Sequence, residues 1–105
     1  MAARFHVHTM ASTDGVQVDD VRCAAAASPL GAEEAEEVPR LVLPRRGVFS
    51  WQAGGVDHLA EPGSLLVLAP DEPYRFGHPA DGGDDCLRIG VAPTLWAELL
   101  DGAGL

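Results

Sequence analysis

The sequence predicts a small all-β protein, a barrel of about eight short strands followed by one helix. Between residues 41 and 91, short apolar runs alternate with Gly, Pro and Asp at close and regular spacing, which is typical of such folds. Gly54-Gly55 is the sharpest turn signal, because two residues that tolerate positive φ can join the runs 51–53 and 56–58 as a hairpin. The length of 105 residues indicates one domain.

The first part of the chain contains one predicted strand. Residues 1–14 lack a regular pattern, so we expect a mobile N-terminal arm; an arm folded over the mouth of the barrel is the alternative. Apolar and polar residues alternate between Val16 and Ala24, which predicts a strand. The alternation breaks at Asp19-Asp20, which predicts a bulge or an edge position there. The acidic run at 33–37 is interpreted as a solvated surface connection that belongs to no site.

The central part contains the remaining barrel strands. Pro44 predicts a bend or an edge position in the strand that begins at Leu41. After the turn at Pro62-Gly63, residues 64–69 are apolar almost throughout, which predicts a strand covered on both faces. A proline-rich turn then precedes extended structure at 74–76 and a last strand at Cys86–Val91.

The C-terminal residues predict an amphipathic helix that begins near Thr94, with Thr94 as its cap. The chain is thus divided into an arm (1–14), a barrel (15–93) and an exit helix (94–105). The helix has an apolar stripe, which we predict to be a dimerisation surface. It consists of Leu95, Trp96, Leu99 and Leu100.

Charge and hydropathy exclude several classes of function. With 16 acidic and 7 basic residues the formal net charge is −9, so a phosphate backbone or an anionic membrane would repel this chain. The N-terminus lacks the layout of a signal peptide, and the apolar runs are too short to cross a bilayer. Two cysteines, Cys23 and Cys86, fit a reducing compartment. We therefore expect a cytoplasmic protein without direct contact to nucleic acid or membrane.

Five stretches carry a resemblance to a known family. They are residues 43–49, Gly54-Gly55, residues 61–76, the block His-Pro-Ala-Asp-Gly-Gly-Asp-Asp-Cys at 78–86, and residues 91–96. Together they resemble the N-terminal cupin domain of AraC/XylS-type bacterial transcription regulators. The block at 78–86 is the most specific of the five.

The resemblance implies a cupin-like double-stranded β-helix that binds a small-molecule effector and forms a homodimer. In the family, the cupin domain is followed by helices and by two helix-turn-helix motifs that bind the promoter. We expect that DNA-binding part to lie outside these 105 residues. The implied function is the effector-sensing and dimerisation domain of an AraC-type regulator. The resemblance therefore implies no enzymatic activity and no cofactor, and we expect contact with promoter DNA only through a domain outside these residues.

Candidate ligand-binding residues are those that could point into the barrel. Aromatic side chains would supply stacking area, and an arginine would hold a carboxylate or hydroxyls. The candidates are Trp51, Tyr74, Arg88, Arg45 and His58. The alternative is that Trp51 belongs to the core and the arginines lie on the surface.

A second set of candidates could bind zinc. Cys23, His78 and Cys86 provide two thiols and one imidazole, and a fourth ligand would be water, His58 or an aspartate. The alternative is that Cys86 is a small buried apolar residue and His78 a turn residue before Pro79. This set supports an alternative function, a stand-alone cupin acting as a zinc or thiol redox sensor.

A metal-dependent cupin enzyme is the third hypothesis. Such an enzyme holds its metal with a His-x-His pair, a Glu and a later His. The strand at 47–51 contains no His, and Tyr74 stands where the later His would be. The ligands for oxidative or isomerising metal chemistry are therefore missing at those positions.

Overall fold

The structure is a computed structural model and describes residues 4–104. This part of the chain contains eight strands and one helix. In chain order they are β1 (Arg4–Ser12), β2 (Val16–Ala24), β3 (Arg40–Gly47), β4 (Phe49–Ala53), β5 (Val56–Ala60), β6 (Leu66–Leu68), β7 (Tyr74–Gly77), β8 (Asp84–Val91) and α1 (Pro93–Gly102). The prediction of an all-β fold with a helix near Thr94 is confirmed.

The strands form two antiparallel sheets that share one core. The larger sheet has the order β1-β2-β8-β3-β6, and the smaller has the order β5-β4-β7. Every strand from β3 to β8 contributes at least one buried side chain to the core, so neither sheet could bury its apolar face without the other. The core residues are Val42, Phe49, Ala60, Leu66, Leu68, Tyr74 and Cys86.

The hairpin at Gly54-Gly55 is confirmed. The two glycines have φ values of 59° and 75°, which is the pair of positive values that a two-residue type I′ turn requires. They place Trp51 opposite His58 and Ala53 opposite Val56 in the β4–β5 pair. Because the turn matches the twist of the strands, this hairpin follows from local sequence alone.

Strand β2 has the predicted bounds, but its surroundings differ from the prediction. It lies between β1 and β8 and is therefore not an edge strand. The register shift that we predicted at Asp19-Asp20 lies in the neighbouring strand, between Thr9 and Ala11 of β1.

The predicted arm is corrected for residues 4–12, which form the edge strand β1. Phe5 and Val7 lie opposite Cys23 and Val21 of β2 and share their face of the sheet. Their apolar alternation was a strand signal, but a weak one, because the side chains remain 62% and 51% exposed. Residues 1–3 of the predicted arm lie outside the described residues.

Strand β3 bends at Pro44, as predicted. Pro44 lies opposite Cys86 of β8, and the register shifts between Pro44 and Arg46. Strand β6 pairs with β3 only over 40–42, so Pro44 has no β6 partner among the described residues and its missing N–H costs no hydrogen bond there.

Strand β6 differs from the prediction of a strand covered on both faces. Only Leu66–Leu68 is extended, and Leu66 and Leu68 are buried while Val67 is 46% exposed. The reason is that the smaller sheet covers only one face of the larger sheet, and no described element packs over Val67 on the other face.

Helix α1 begins one residue earlier than predicted and is capped differently. Ala92 is the N-cap without a side-chain hydrogen bond, and Pro93 occupies the first turn, where its missing N–H is not needed. The predicted Thr94 cap is therefore wrong. None of the ten residues of α1, all of them described, is buried. Leu105 of the predicted helix lies outside the described residues.

Within residues 4–104, no helix is both long enough and apolar enough to cross a membrane.

Candidate functional site

A cavity of about 290 Å³ lies between the two sheets. Strands of both sheets and the connection that contains Glu34 and Glu36 line it. One part of the wall is apolar, formed by Val42, Phe49, Leu68 and Phe76 together with Phe5 and Val7. The polar part is formed by Glu34, Glu36, Tyr74, His78, Asp84 and Arg88. A pocket with an apolar body and a few convergent polar groups is suited to a small organic ligand.

Two of the five predicted ligand-binding residues, Tyr74 and Arg88, line this cavity. Trp51 and His58 stack on each other in the β4–β5 hairpin, with ring centroids 4.5 Å apart, and neither belongs to the lining. Arg45 lies at the register shift of β3, is exposed, and pairs with Asp20. Arg45 does not point into the barrel, because Val42 and Pro44 are the buried residues of β3 and Arg45 follows them at an exposed position.

Arg88 is held by Asp19 on the neighbouring strand β2. Arg88 Nη2 donates to Asp19 Oδ2 at 2.9 Å, and Asp19 also accepts from Thr9 Oγ1 at 2.8 Å and from Gln17. Burial alone would raise the pKa of Asp19, but these hydrogen bonds outweigh it, and the pKa is lowered. The ion pair orients the guanidinium at the cavity wall.

Glu36 is a site residue that the sequence interpretation missed. Tyr74 Oη donates to Glu36 Oε1 at 2.5 Å, and Glu36 Oε2 lies 3.0 Å from Arg40 Nε. The main chains of Glu34 and Tyr74 exchange hydrogen bonds at 2.8 and 2.9 Å, which brings this segment against β7. The acidic run is thus more than a solvated connection. The spacing of two residues between Glu34 and Glu36 was the sequence signal that could have indicated that both side chains share one face.

The resemblance places Tyr74 at the later histidine of metal-dependent cupins, and Tyr74 does not suit a metal. Burial and the hydrogen bond to Glu36 raise the pKa of Tyr74, so the phenol keeps its proton at neutral pH. A protonated phenol whose oxygen already donates to a carboxylate is a poor ligand. The residues present therefore do not fit the metal of the enzyme family at this position.

Cys23, His78 and Asp84 form a compact cluster in the cavity wall. The β2–β8 register places Cys23 directly opposite Asp84. Cys23 Sγ lies 3.5 Å from His78 Nε2, which in turn lies 3.5 Å from Asp84 Oδ2. Each offers one ligand atom, and the three atoms lie within 4.8 Å of one another. Cys23 is 3% exposed and Asp84 6% exposed.

The predicted set Cys23, His78 and Cys86 is corrected at one position. We predicted Cys86 as the third ligand, but within the described residues the group of ligand atoms contains Asp84 and not Cys86. Cys86 Sγ lies 3.6 Å from Asp84 Oδ1 and donates to it. The two residues share the inward face of β8, which is why sequence spacing could not choose between them.

Both thiols are buried and protonated in the metal-free protein. Burial and the nearby carboxylate of Asp84 raise the pKa of Cys23 to about 11 and that of Cys86 to about 12. Burial likewise raises the pKa of Asp84. Since the thiolate is the reactive form, these environments do not favour a thiol switch that acts without a metal.

Close backbone contacts bring the cluster together. Gly83 has a φ of 70°, and a Cβ on it would lie 1.9 Å from the carbonyl oxygen of Cys23. Asp81 Oδ1 accepts a hydrogen bond from the main-chain N–H of Ala27 at 2.7 Å. His78 is paired through its main chain with Ser28. The loop before β8 is therefore held against the end of β2.

The sequence matches no protein-family model and no curated protein sequence. Solved structures, however, resemble the fold closely. A provisionally assigned mannose-6-phosphate isomerase from Ralstonia eutropha is 16% identical with a TM-score of 0.70, over 86% of this chain and 84% of that one. A cupin superfamily protein from Desulfitobacterium hafniense is 17% identical with a TM-score of 0.67, over 84% and 77%.

A third similar structure is the cupin_2 domain of an XRE-family transcriptional regulator from Enterobacter cloacae. It is 15% identical with a TM-score of 0.67, over 85% of this chain and 97% of that one. At such identities the likenesses establish the fold alone. The chain has the cupin fold, as predicted, while the AraC-type identity stays a prediction.

Proposed function

We propose that this chain is the effector-sensing and dimerisation domain of a cytoplasmic AraC-type transcription regulator, rather than an enzyme. Promoter DNA would be contacted by a helix-turn-helix part outside these residues. The observation that carries the proposal is the cavity, whose lining combines an apolar wall with polar groups that include Tyr74, Glu36 and Arg88. The likeness to the cupin domain of an XRE-family transcriptional regulator supports the proposal, because that small cupin domain is part of a regulator.

The charge and the poor fit of Tyr74 as a metal ligand support the same proposal. A net charge of −9 disfavours contact with DNA by this domain, so its contribution to regulation would be sensing. At Tyr74 the cavity offers a neutral phenol where a metal-dependent cupin enzyme has a ligand. The effector class that fits is a small molecule with an apolar body and one anionic or hydroxylated end.

Strand β1 and the turn that follows it connect the cavity wall to the exit helix. Phe5 and Val7 of β1 line the cavity, and the turn after β1 includes Gly15. The Gly15 carbonyl accepts from the N–H of Ala92 at 2.8 Å, and a Cβ on Gly15 would lie 3.1 Å from Leu95 Cδ2. An effector that packs on Phe5 and Val7 would thus stabilise one position of β1 and of α1. If the effector binds one arrangement of the dimer more tightly than the other, it shifts the equilibrium towards that arrangement.

The cavity is tested with a panel of small aromatic acids, hydroxy acids and monosaccharides in thermal-unfolding assays. We expect one class to raise the unfolding temperature, since a ligand at 100 times its Kd adds about 2.7 kcal/mol of stability. Val7→Trp should abolish the shift by filling part of the cavity, whereas Val67→Trp, similarly exposed but outside the cavity, should retain it. A panel without any shift, or equal shifts in both variants, would contradict the proposal.

Dimerisation is tested at Leu99, the exposed member of the apolar stripe of α1. Leu99 is 53% exposed, and we expect Leu99→Asp to raise the dimer Kd at least about tenfold because a carboxylate would replace an apolar contact at the interface. Ala97→Asp, also exposed on α1, is the matched control for the added charge. Sedimentation velocity over a concentration series measures both. A monomeric wild type, or equal weakening by the two variants, would contradict a dimer through this stripe.

A further inference from the structure

We propose that Cys23, His78 and Asp84 bind one zinc ion at the cavity wall. The site lies apart from Tyr74, where the metal of the enzyme family would be expected. It also does not depend on the proposed sensing function, because a metal-binding wall is compatible with any role of the cavity. The proposal rests on geometry, on an unpartnered buried oxygen and on the contacts that orient His78.

The distances fit tetrahedral zinc. With sulfur at about 2.3 Å and nitrogen or oxygen at about 2.0–2.1 Å from the ion, the ligand atoms of a tetrahedral site lie roughly 3.3–3.6 Å from one another. The Sγ–Nε2 and Nε2–Oδ2 distances of the cluster are both 3.5 Å. Two of the three spacings therefore already match a bound ion, and the third, between Cys23 Sγ and the Asp84 carboxylate, is no more than 4.8 Å.

One oxygen of Asp84 lacks the partner that burial requires. Asp84 Oδ2 is buried and accepts no hydrogen bond within residues 4–104, although Oδ1 accepts one from Cys86. The side chain of Asp84 is 9% exposed. A buried carboxylate oxygen without a donor is costly, and a cation bound at Oδ2 would remove that cost.

His78 is oriented so that Nε2 faces the other two ligands. Ser28 Oγ lies 3.4 Å from His78 Nδ1 on the opposite side of the ring, and the main chains of the two residues exchange hydrogen bonds. With the proton on Nδ1, Nε2 presents its lone pair to Cys23 Sγ and Asp84 Oδ2. An outer hydrogen bond of this kind is the usual support of a metal-binding histidine.

Thiolate, imidazole and carboxylate together favour zinc among the common divalent ions. Three protein ligands are one fewer than tetrahedral zinc takes. Because all three residues line the cavity, the fourth ligand can come from its solvent. Cys86 is then a supporting residue that holds Asp84 Oδ1 rather than a ligand.

The experiment loads the purified chain with ZnCl2, removes free metal by dialysis and counts bound zinc by elemental analysis. We expect one equivalent in the wild type and less than roughly a tenth of an equivalent in Cys23→Ser, His78→Ala and Asp84→Asn. Cys86→Ser is the matched control, since both cysteines are buried in the same wall. It should keep one equivalent, with an affinity reduced by at most about 10–100-fold.

Folding and ligation are separated by a second pair of measurements. Without metal, Asp84→Asn should unfold at the same or a higher temperature than the wild type, because it removes a buried charge and retains the shape. Cobalt replaces zinc as a visible probe: the wild type and Cys86→Ser should show a thiolate-to-cobalt charge-transfer band and the strong visible bands of a tetrahedral site. Cys23→Ser should lose the charge-transfer band.

Two results would overturn the proposal. A wild type that holds no zinc after loading would leave the cluster as a hydrogen-bonded group only. Zinc retained in Asp84→Asn and lost in Cys86→Ser would make Cys86 the ligand and remove Asp84 from the site.

Discussion

Gly83→Ala is expected to destabilise the protein by roughly 3–5 kcal/mol, enough to prevent folding if the wild type is only marginally stable. Two costs combine at this position. The φ of 70° is strained for alanine, and the new Cβ would lie 1.9 Å from the Cys23 carbonyl oxygen, a main-chain atom that cannot rotate away. Urea unfolding followed by circular dichroism measures the change in the free energy of unfolding.

Gly82→Ala separates the clash from the backbone strain. Gly82 has a φ of 108°, and a Cβ there would meet nothing within 4 Å. Its backbone strain is at least as large, because 108° lies farther from the left-handed minimum. We therefore expect Gly82→Ala to lose about 1–3 kcal/mol from strain alone. Equal losses in the two variants would show that the loop does not approach Cys23 as described.

Leu66→Ala is expected to destabilise the protein by about 3–5 kcal/mol. Leu66 is 1% exposed and lies in the core cluster shared by both sheets, so its removal leaves a cavity in addition to the lost apolar burial. For a domain of about this length each kcal/mol lowers the midpoint of thermal unfolding by roughly 4–8 °C. Differential scanning calorimetry should therefore show a decrease of more than about 10 °C.

Val67→Ala is the control on the opposite face of β6. Val67 is 46% exposed, so its truncation should change the free energy of unfolding by no more than about 0.5 kcal/mol. If Val67→Ala cost as much as Leu66→Ala, both faces of β6 would be covered, as the apolar run at 64–69 first indicated. The comparison of the two variants thus decides whether β6 is covered on one face or on both faces.

Features that depend on a few neighbouring residues were predictable. The Gly54-Gly55 hairpin, strand β2 and the bend at Pro44 follow from backbone preferences that operate over one to nine residues. The helix start also followed from local signals, although Pro93 rather than Thr94 determined it. In each case the preference is a property of the residue itself and does not require knowledge of a distant partner.

Features that depend on an uncovered surface were predicted less well. Strand β1 was not recognised because Phe5 and Val7 gain little burial, so their alternation is hard to distinguish from chance. For β6, a continuous apolar run could not reveal that its outer face would stay exposed at the edge of the sheet. Hydrophobicity indicates what can be buried, but the number of available layers decides what is buried.

By itself the sequence determined the all-β class, the cupin-like resemblance, the acidic charge and two members of the candidate metal cluster, Cys23 and His78. The tertiary structure alone decided which residues meet: Tyr74 with Glu36, Arg88 with Asp19, and Cys23 with His78 and Asp84 rather than with Cys86. The physical reason is strand register. Asp84 and Cys86 share one face of β8, and only the pairing that places Cys23 opposite Asp84 determines which ligand atom lies within reach.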